Sequence, residues 1–118
     1  MKKKVAIIGV TGSVGQEFVQ SLDNHPWFEV TQIAASERSA GKNYLDAIRD
    51  ASGIIAWDVS GPIPDYIKEM KVLTIDEIDI TELDLIFSAV ESVAARDIET
   101  KFAKDLPVIS TSSAYRYE

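Results

Sequence analysis

The stretch Gly9-Val10-Thr11-Gly12-Ser13-Val14-Gly15 constrains this chain more than any other, because an apolar run leads into it and a helical pattern leads out of it. The run Val5-Ala6-Ile7-Ile8 predicts a buried parallel strand. Val14, Phe18 and Leu22, spaced i, i+4 and i+8, predict one face of a helix. Strand, glycine turn and helix in this order are what a dinucleotide-binding turn requires. Glycine permits a positive φ and lets a pyrophosphate approach the backbone, while the amides and positive dipole end of the helix face the anion. Gly15 removes a side chain where helix and strand must pack closely. Glycines also mark ordinary loops; the flanking elements are what favour the nucleotide.

The spacing Gly-x-x-Gly-x-x-Gly is one residue longer between its first two glycines than the commonest fingerprint. Thr11 and Ser13 are thereby expected beside the phosphate path, where their hydroxyls can donate to phosphate oxygens. Ser13 equally suits the cap of the helix. The choice of dinucleotide turns on the end of the second strand, where a carboxylate about 20 residues on would accept from the ribose 2′-OH. The predicted strand Val30–Ala35 delivers Ser36 to that place, with Arg38 and Ser39 close behind. A guanidinium flanked by hydroxyls suits a 2′-phosphate, which it can bind through two parallel charged hydrogen bonds. NADP is therefore expected over NAD. Glu37 argues for NAD if it points into the site instead, and Arg38 also reads as a solvated loop charge. Gly41 and Lys42 extend the same loop.

With 118 residues the chain predicts one domain, long enough for a core and short for an enzyme holding both a dinucleotide and a substrate. A formal charge of −7 disfavours a nucleic-acid partner. Lys2, Lys3 and Lys4 form the only basic run, and the six residues Val5 to Val10 after it are too few for a signal-peptide core or a membrane span. A soluble, cytoplasmic protein is the expectation. No cysteine is present, which removes disulfides, thiolate metal sites and a cysteine nucleophile from these residues. His25, the sole histidine, precedes Pro26 where the first helix must stop, and no metal site is expected around it.

Further along, Tyr44–Arg49 predicts a weak helical turn, Gly53–Val59 a third strand, and Ile63, Ile67 and Met70 a short helix. Val72–Ile75 predicts a fourth strand. The five carboxylates between Asp76 and Asp84 alternate with apolar residues and predict a solvated connection, not a metal or acid–base pair. Leu85–Val90 predicts a fifth strand, Ala95, Ile98, Phe102 and Leu106 the buried face of a helix from about Val93 to Lys104, and Pro107-Val108-Ile109 the start of a last strand. Strands alternating with helices imply right-handed crossovers and an α/β, Rossmann-like, doubly wound, mostly parallel sheet of about six strands with helices on both faces. In such sheets a ligand lies beyond the carboxyl ends of the strands, and segments 9–15, 36–39, 88–90 and 110–113 all fall there.

Several of these segments carry a resemblance. Val5–Gln16, Asn24-His25-Pro26-Trp27-Phe28, Ala34–Lys42, Asp84–Ala89 and Ser113-Ala114-Tyr115-Arg116 together resemble the amino-terminal, NADP-binding part of the aspartate-semialdehyde dehydrogenase family, nearest its archaeal and fungal branch. The resemblance covers essentially the whole chain and is most specific at Ala34–Lys42. It implies a two-domain, homo-oligomeric oxidoreductase that reduces β-aspartyl phosphate to aspartate semialdehyde with NADPH, on the route to lysine, threonine and methionine. A cysteine thiolate forms a thioester in that family, and a histidine moves the proton. Carried over residue by residue, Gly9, Thr11, Gly12, Ser13, Val14 and Gly15 would hold the phosphates. Ser36, Arg38 and Ser39 would hold the 2′-phosphate, and Ser88 and Ala89 would line the nicotinamide side. Arg116 matches an arginine associated with the substrate phosphate, though it also reads as a surface charge.

Two departures qualify the resemblance. Thr111 stands where the family usually has asparagine, and the family's cysteine and histidine have no counterpart in residues 1–118. The expectation is a cofactor domain spanning 1–118 that binds NADP without catalysing, the small-molecule substrate requiring the absent domain. Exposed apolar surface and self-association would follow if a covering helix is missing too. A malonyl-CoA reductase or N-acetyl-glutamyl-phosphate reductase domain, a non-catalytic NADP-binding sensor, and a redesigned Rossmann domain are the competing readings.

Overall fold

Alternation along one strand builds two cores at once. β1 (Lys3–Ile8) runs through the middle of the sheet, and its last four residues are fully buried. Val5 and Ile7 enter a cluster on one face, while Ala6 and Ile8 enter a separate cluster on the other. Only a strand covered on both faces can be continuously apolar. Burial of each large apolar side chain contributes about 1.5–3 kcal/mol over exposure, so a polar residue at any of these positions weakens the core on its own face. The computed structural model describes residues 2–36, 38–49, 52–57, 59, 61–90, 102 and 104–110.

The remaining elements are α1 (Ser13–Ser21), β2 (Phe28–Ala34), α2 (Tyr44–Ala47), α3 (Asp65–Lys68), β3 (Val72–Leu73), β4 (Leu85–Ser88) and β5 (Val108–Ser110), with short 3₁₀ turns at Ile75–Glu77 and Ile80–Glu82. The five strands form one parallel sheet in the order β3-β2-β1-β4-β5. Among the described residues the sheet has five strands, close to the roughly six expected. The chain steps outward from β1 to β3 and then crosses to β4 on the other side of β1, so the order reverses between β1 and β4. The larger cluster receives Val19 from α1, Tyr44 from α2 and Ile67 from α3. The opposite cluster is closed by Ile78, Leu83 and Phe102.

β2 carries one residue more than β1 along their shared edge. Val5 pairs with Val30 but Ala6 pairs with Gln32, which leaves Thr31 as a bulge. The bulge changes the phase of the strand. Phe28 and Val30 before it, and Ile33 and Ala35 after it, all pack in the same cluster. The Thr31 hydroxyl is buried with no hydrogen-bond partner, the local cost of the extra residue.

Three local expectations are corrected. Gly53–Val59 is not a strand: among the described residues it makes one isolated antiparallel bridge, Arg49 to Ile55, and Ile54 is 66% exposed. Ile55 and Trp57 do point inward and pack on the larger cluster, so the alternation is that of a strap over the core without a partner strand. The buried face of α1 is centred on Gly15, Val19 and Leu22, with Val14 and Phe18 half-buried on its flank. Gly15 sits against the backbone of Gly9 and Val10, which puts it on the buried side of the helix. Val72–Ile75 is strand only at Val72–Leu73, since Ile75 opens a 3₁₀ turn.

The acidic stretch is exposed, yet several of its groups have structural work. Glu77 accepts from the Thr74 N–H at 2.8 Å, Asp79 from the Thr81 N–H at 3.0 Å, and Asp84 from the Lys4 N–H at 2.8 Å. His25 closes the end of α1: its N–H donates to the Leu22 carbonyl, its Nδ1 accepts from the Trp27 N–H at 3.0 Å, and its ring lies 5.0 Å from that of Phe28. Ala95, Ile98 and the body of the helix expected at Val93–Lys104 lie outside the described residues.

Candidate functional site

The reversal of strand order leaves a cleft of ≈ 410 Å³ at the carboxyl edge of the sheet. Gly9, Thr11 and Gly12 line it after β1, Ala35 and Ser36 after β2, Ile75 after β3, and Ala89 and Val90 after β4. A hollow of ≈ 840 Å³ exists at the other edge, beside Lys2, Asp23, Glu29 and Tyr66. That edge holds the amino ends of the strands and the carboxyl end of α1, where no helix amides are offered to an anion. The smaller cleft is therefore the stronger candidate.

Sterics fix the turn. Gly9 has φ +74°, and a Cβ there would stand 2.9 Å from the Ala89 carbonyl carbon. A Cβ on Gly15 would stand 2.2 Å from the Gly9 oxygen and 2.8 Å from Val10 Cα. Neither position admits a side chain unless backbone moves. The turn is anchored to β2, with the Gly9 and Val10 N–H groups both donating to the Ala34 carbonyl, at 2.9 and 3.1 Å. Gly12 occupies the cap of α1 with no side-chain hydrogen bond, so the capping role open to Ser13 is not taken; Ser13 is the first helical residue. The helical ladder begins with the Gln16 N–H on the Gly12 carbonyl at 2.9 Å. The first-turn amides before it lie outside the ladder, which gives the amino end of α1 the character of an anion site.

Past β2, the loop turns at Ser36, whose carbonyl accepts from Ser39 N–H at 2.9 Å and Ala40 N–H at 3.2 Å. Arg38 is exposed and makes no ion pair with any described residue. Of the residues singled out in the sequence, Gly9, Thr11, Gly12, Ser36 and Ala89 line the cleft. Ser13, Val14 and Gly15 follow the turn in α1, and Arg38 and Ser39 follow Ser36 in its loop; none of these five is among the lining residues. Ser88 is fully buried in β4, paired with Ile8 and Ser110, and is not among the residues lining the cleft. Ala35, Ile75 and Val90 line the cleft without having been singled out. Glu37, Thr111 and Arg116 lie outside the described residues.

Two phenols, Tyr44 behind the turn and Tyr66 beside α1, are driven up from their ordinary value of 10.0. Burial does this for Tyr44; for Tyr66 burial is the main cause, with Asp23 and Tyr44 adding to it. Both stay protonated and donate, Tyr44 to the Val10 carbonyl at 3.2 Å and Tyr66 to the Val19 carbonyl at 2.7 Å. Among the described residues no cluster of His, Asp or Glu could hold a metal, and no helix is long and apolar enough to cross a membrane.

Comparison with known proteins agrees with this geometry. The family described as semialdehyde dehydrogenase, NAD binding domain, matches residues 4–118. The chain belongs to that family. An aspartate-semialdehyde dehydrogenase of Archaeoglobus fulgidus is 41% identical over 117 residues, 98% of this chain and 32% of that protein. One from Saccharomyces cerevisiae is 35% identical over 118 residues, covering 99% and 30%. The crystal structure of the Candida albicans enzyme with NADP superposes with a TM-score of 0.85 at 37% identity, over 100% of this chain and 32% of that one. This member of the semialdehyde dehydrogenase family therefore spans about a third of the length of the relatives it matches.

Proposed function

We propose that this chain is the NADP-binding part of an aspartate-semialdehyde dehydrogenase, the enzyme that reduces β-aspartyl phosphate to aspartate semialdehyde in amino-acid biosynthesis. The observation that carries the reading is the turn itself. Gly9 and Gly15 sit where any Cβ would strike backbone, and the amino end of α1 opens at the cleft where the strand order reverses. The cradle fits a dinucleotide diphosphate. Thr11, Gly12, Ser13, Val14 and Gly15 would hold that diphosphate, chiefly through backbone N–H groups. Ser36, Arg38 and Ser39 would hold the 2′-phosphate, and Ala89 with Val90 the nicotinamide end. The cofactor supplies hydride chemistry when bound; the residues here bind and orient it. With no cysteine among its 118 residues, the chain brings no thiolate nucleophile of its own, so substrate, nucleophile and subunit contacts are assigned to the remainder of a longer protein. Arg116 keeps its proposed role toward the substrate phosphate.

Thermal unfolding with each dinucleotide tests the reading. A ligand that binds only the folded chain raises Tm with its concentration over Kd. NADP is expected to raise Tm clearly more than NAD at equal concentration. No shift with either overturns nucleotide binding, and equal shifts overturn the 2′-phosphate assignment.

A further inference from the structure

Two buried side chains outside the cleft grip the glycine turn from its core side. Tyr44, fully buried, donates its hydroxyl to the Val10 carbonyl at 3.2 Å. Gln16, 2% exposed, donates Nε2 to the Thr11 carbonyl at 3.1 Å and to the Ala56 carbonyl at 2.8 Å. These are the carbonyls of two successive peptide units. In a trans peptide the C=O of one residue and the N–H of the next point in opposite directions. A Val10 carbonyl drawn toward the core therefore turns the Thr11 N–H outward, and a held Thr11 carbonyl fixes the plane of the following peptide, whose Gly12 N–H leans on the Gly9 carbonyl. Both Thr11 and Gly12 line the cleft.

The fate of the amides agrees with this polarity. The N–H groups of Gly9 and Val10 are taken by the Ala34 carbonyl, whereas the Thr11 N–H has no backbone partner among the described residues. The Gly12 N–H reaches only the Gly9 carbonyl, at a long 3.4 Å. We infer that Tyr44 and Gln16 are positioning residues that, by holding the peptides on either side of Thr11, preset the Thr11 amide toward the diphosphate of the dinucleotide. The inference rests on the nucleotide reading above and adds what makes the turn a ready site before ligand arrives. Pre-aimed donors cost no reorganisation at binding. Gln16 also links the turn to the strap, because the Ala56 N–H in turn donates to the Ile48 carbonyl at 2.9 Å at the end of α2.

Tyr44→Phe and Gln16→Met remove the donors while keeping side-chain bulk. Each is expected to weaken NADP and NAD alike, by about three- to tenfold, the usual worth of one neutral hydrogen bond. 2′-AMP, which carries the 2′-phosphate end and no diphosphate, separates positioning from general damage. Its affinity is expected to stay within about twofold in both variants, while Arg38→Ala weakens 2′-AMP and NADP together. Unchanged NADP affinity in Tyr44→Phe overturns the inference, as does an equal loss of NADP and 2′-AMP. If Gln16→Met does not fold, Tyr44→Phe decides alone. If the unsubstituted chain binds none of the three ligands, the nucleotide reading falls and the inference falls with it; normal NADP binding with insensitive variants removes the inference only.

Discussion

The turn at Gly9–Gly15 and the loop at Ser36–Lys42 meet at one cleft, but they are held differently. The turn is fixed by backbone contacts that leave no room for a Cβ at Gly9 or Gly15, by two amides on the Ala34 carbonyl, and by Tyr44 and Gln16 from behind. The loop is pinned near its two ends to β3, through Ala35 N–H on the Leu73 carbonyl at 3.0 Å and Gly41 N–H on the Val72 carbonyl at 2.8 Å. Between those pins Ser36 and Arg38 are exposed. The turn, proposed to meet the diphosphate common to all dinucleotides, is thus inseparable from the core. The loop, proposed to tell one dinucleotide from another, carries exposed side chains that can change without disturbing the fold.

That contrast is open to direct attack. Gly15→Ala should do the most damage, since its Cβ would overlap the Gly9 carbonyl; overpacking of this kind costs about 3 kcal/mol, read as a lower urea midpoint together with lost NADP binding. A stable Gly15→Ala chain would show the turn to be as adaptable as the loop. Arg38→Ala should leave the urea midpoint in place and weaken NADP by about 1.5–3 kcal/mol with NAD nearly unchanged, measured by titration calorimetry. Equal losses for both cofactors would move Arg38 off the 2′-phosphate. The smallest effect concerns alkaline pH. Tyr44 and Tyr66 have folded-state pKa values raised above 10.0, so their contribution is fully present below pH 10 and erodes as pH climbs above it, when the unfolded chain releases protons that the folded chain keeps. Tyr44→Phe should flatten that alkaline fall in stability, and an unaltered slope would remove Tyr44 as one of its sources.

What could be read from the sequence follows the same division. β1 and the glycine turn were legible because their signals are local: four consecutive apolar residues, then glycines, then an amphipathic run. The serine–arginine loop offered only its chemistry, a guanidinium beside hydroxyls, and the NADP and NAD titrations are what test that expectation. The strap was misread because Ile55 and Trp57 alternate with Ile54 and Ala56 as strand residues do; periodicity shows which side faces the core and not whether a neighbouring strand exists. Tyr44 and Gln16 were invisible as supports of the turn. Tyr44 reaches Val10 across 34 residues, and Gln16, only five residues from Thr11, is turned inward to bridge it to Ala56, 40 residues away, which no local pattern announces.

Thr31 has one more consequence. Val5 meets Val30 on one side of the bulge and Ala6 meets Gln32 on the other, so excising residue 31 would leave every remaining partner of β1 matched and every inward side chain still inward. It is a spacer the hydrophobic pattern can do without. Its effect is on curvature: an inserted residue bends and twists its strand, and this strand, ending at Ala34, leads directly into Ser36. A shortened chain should fold, with its nucleotide rim swung to a new heading.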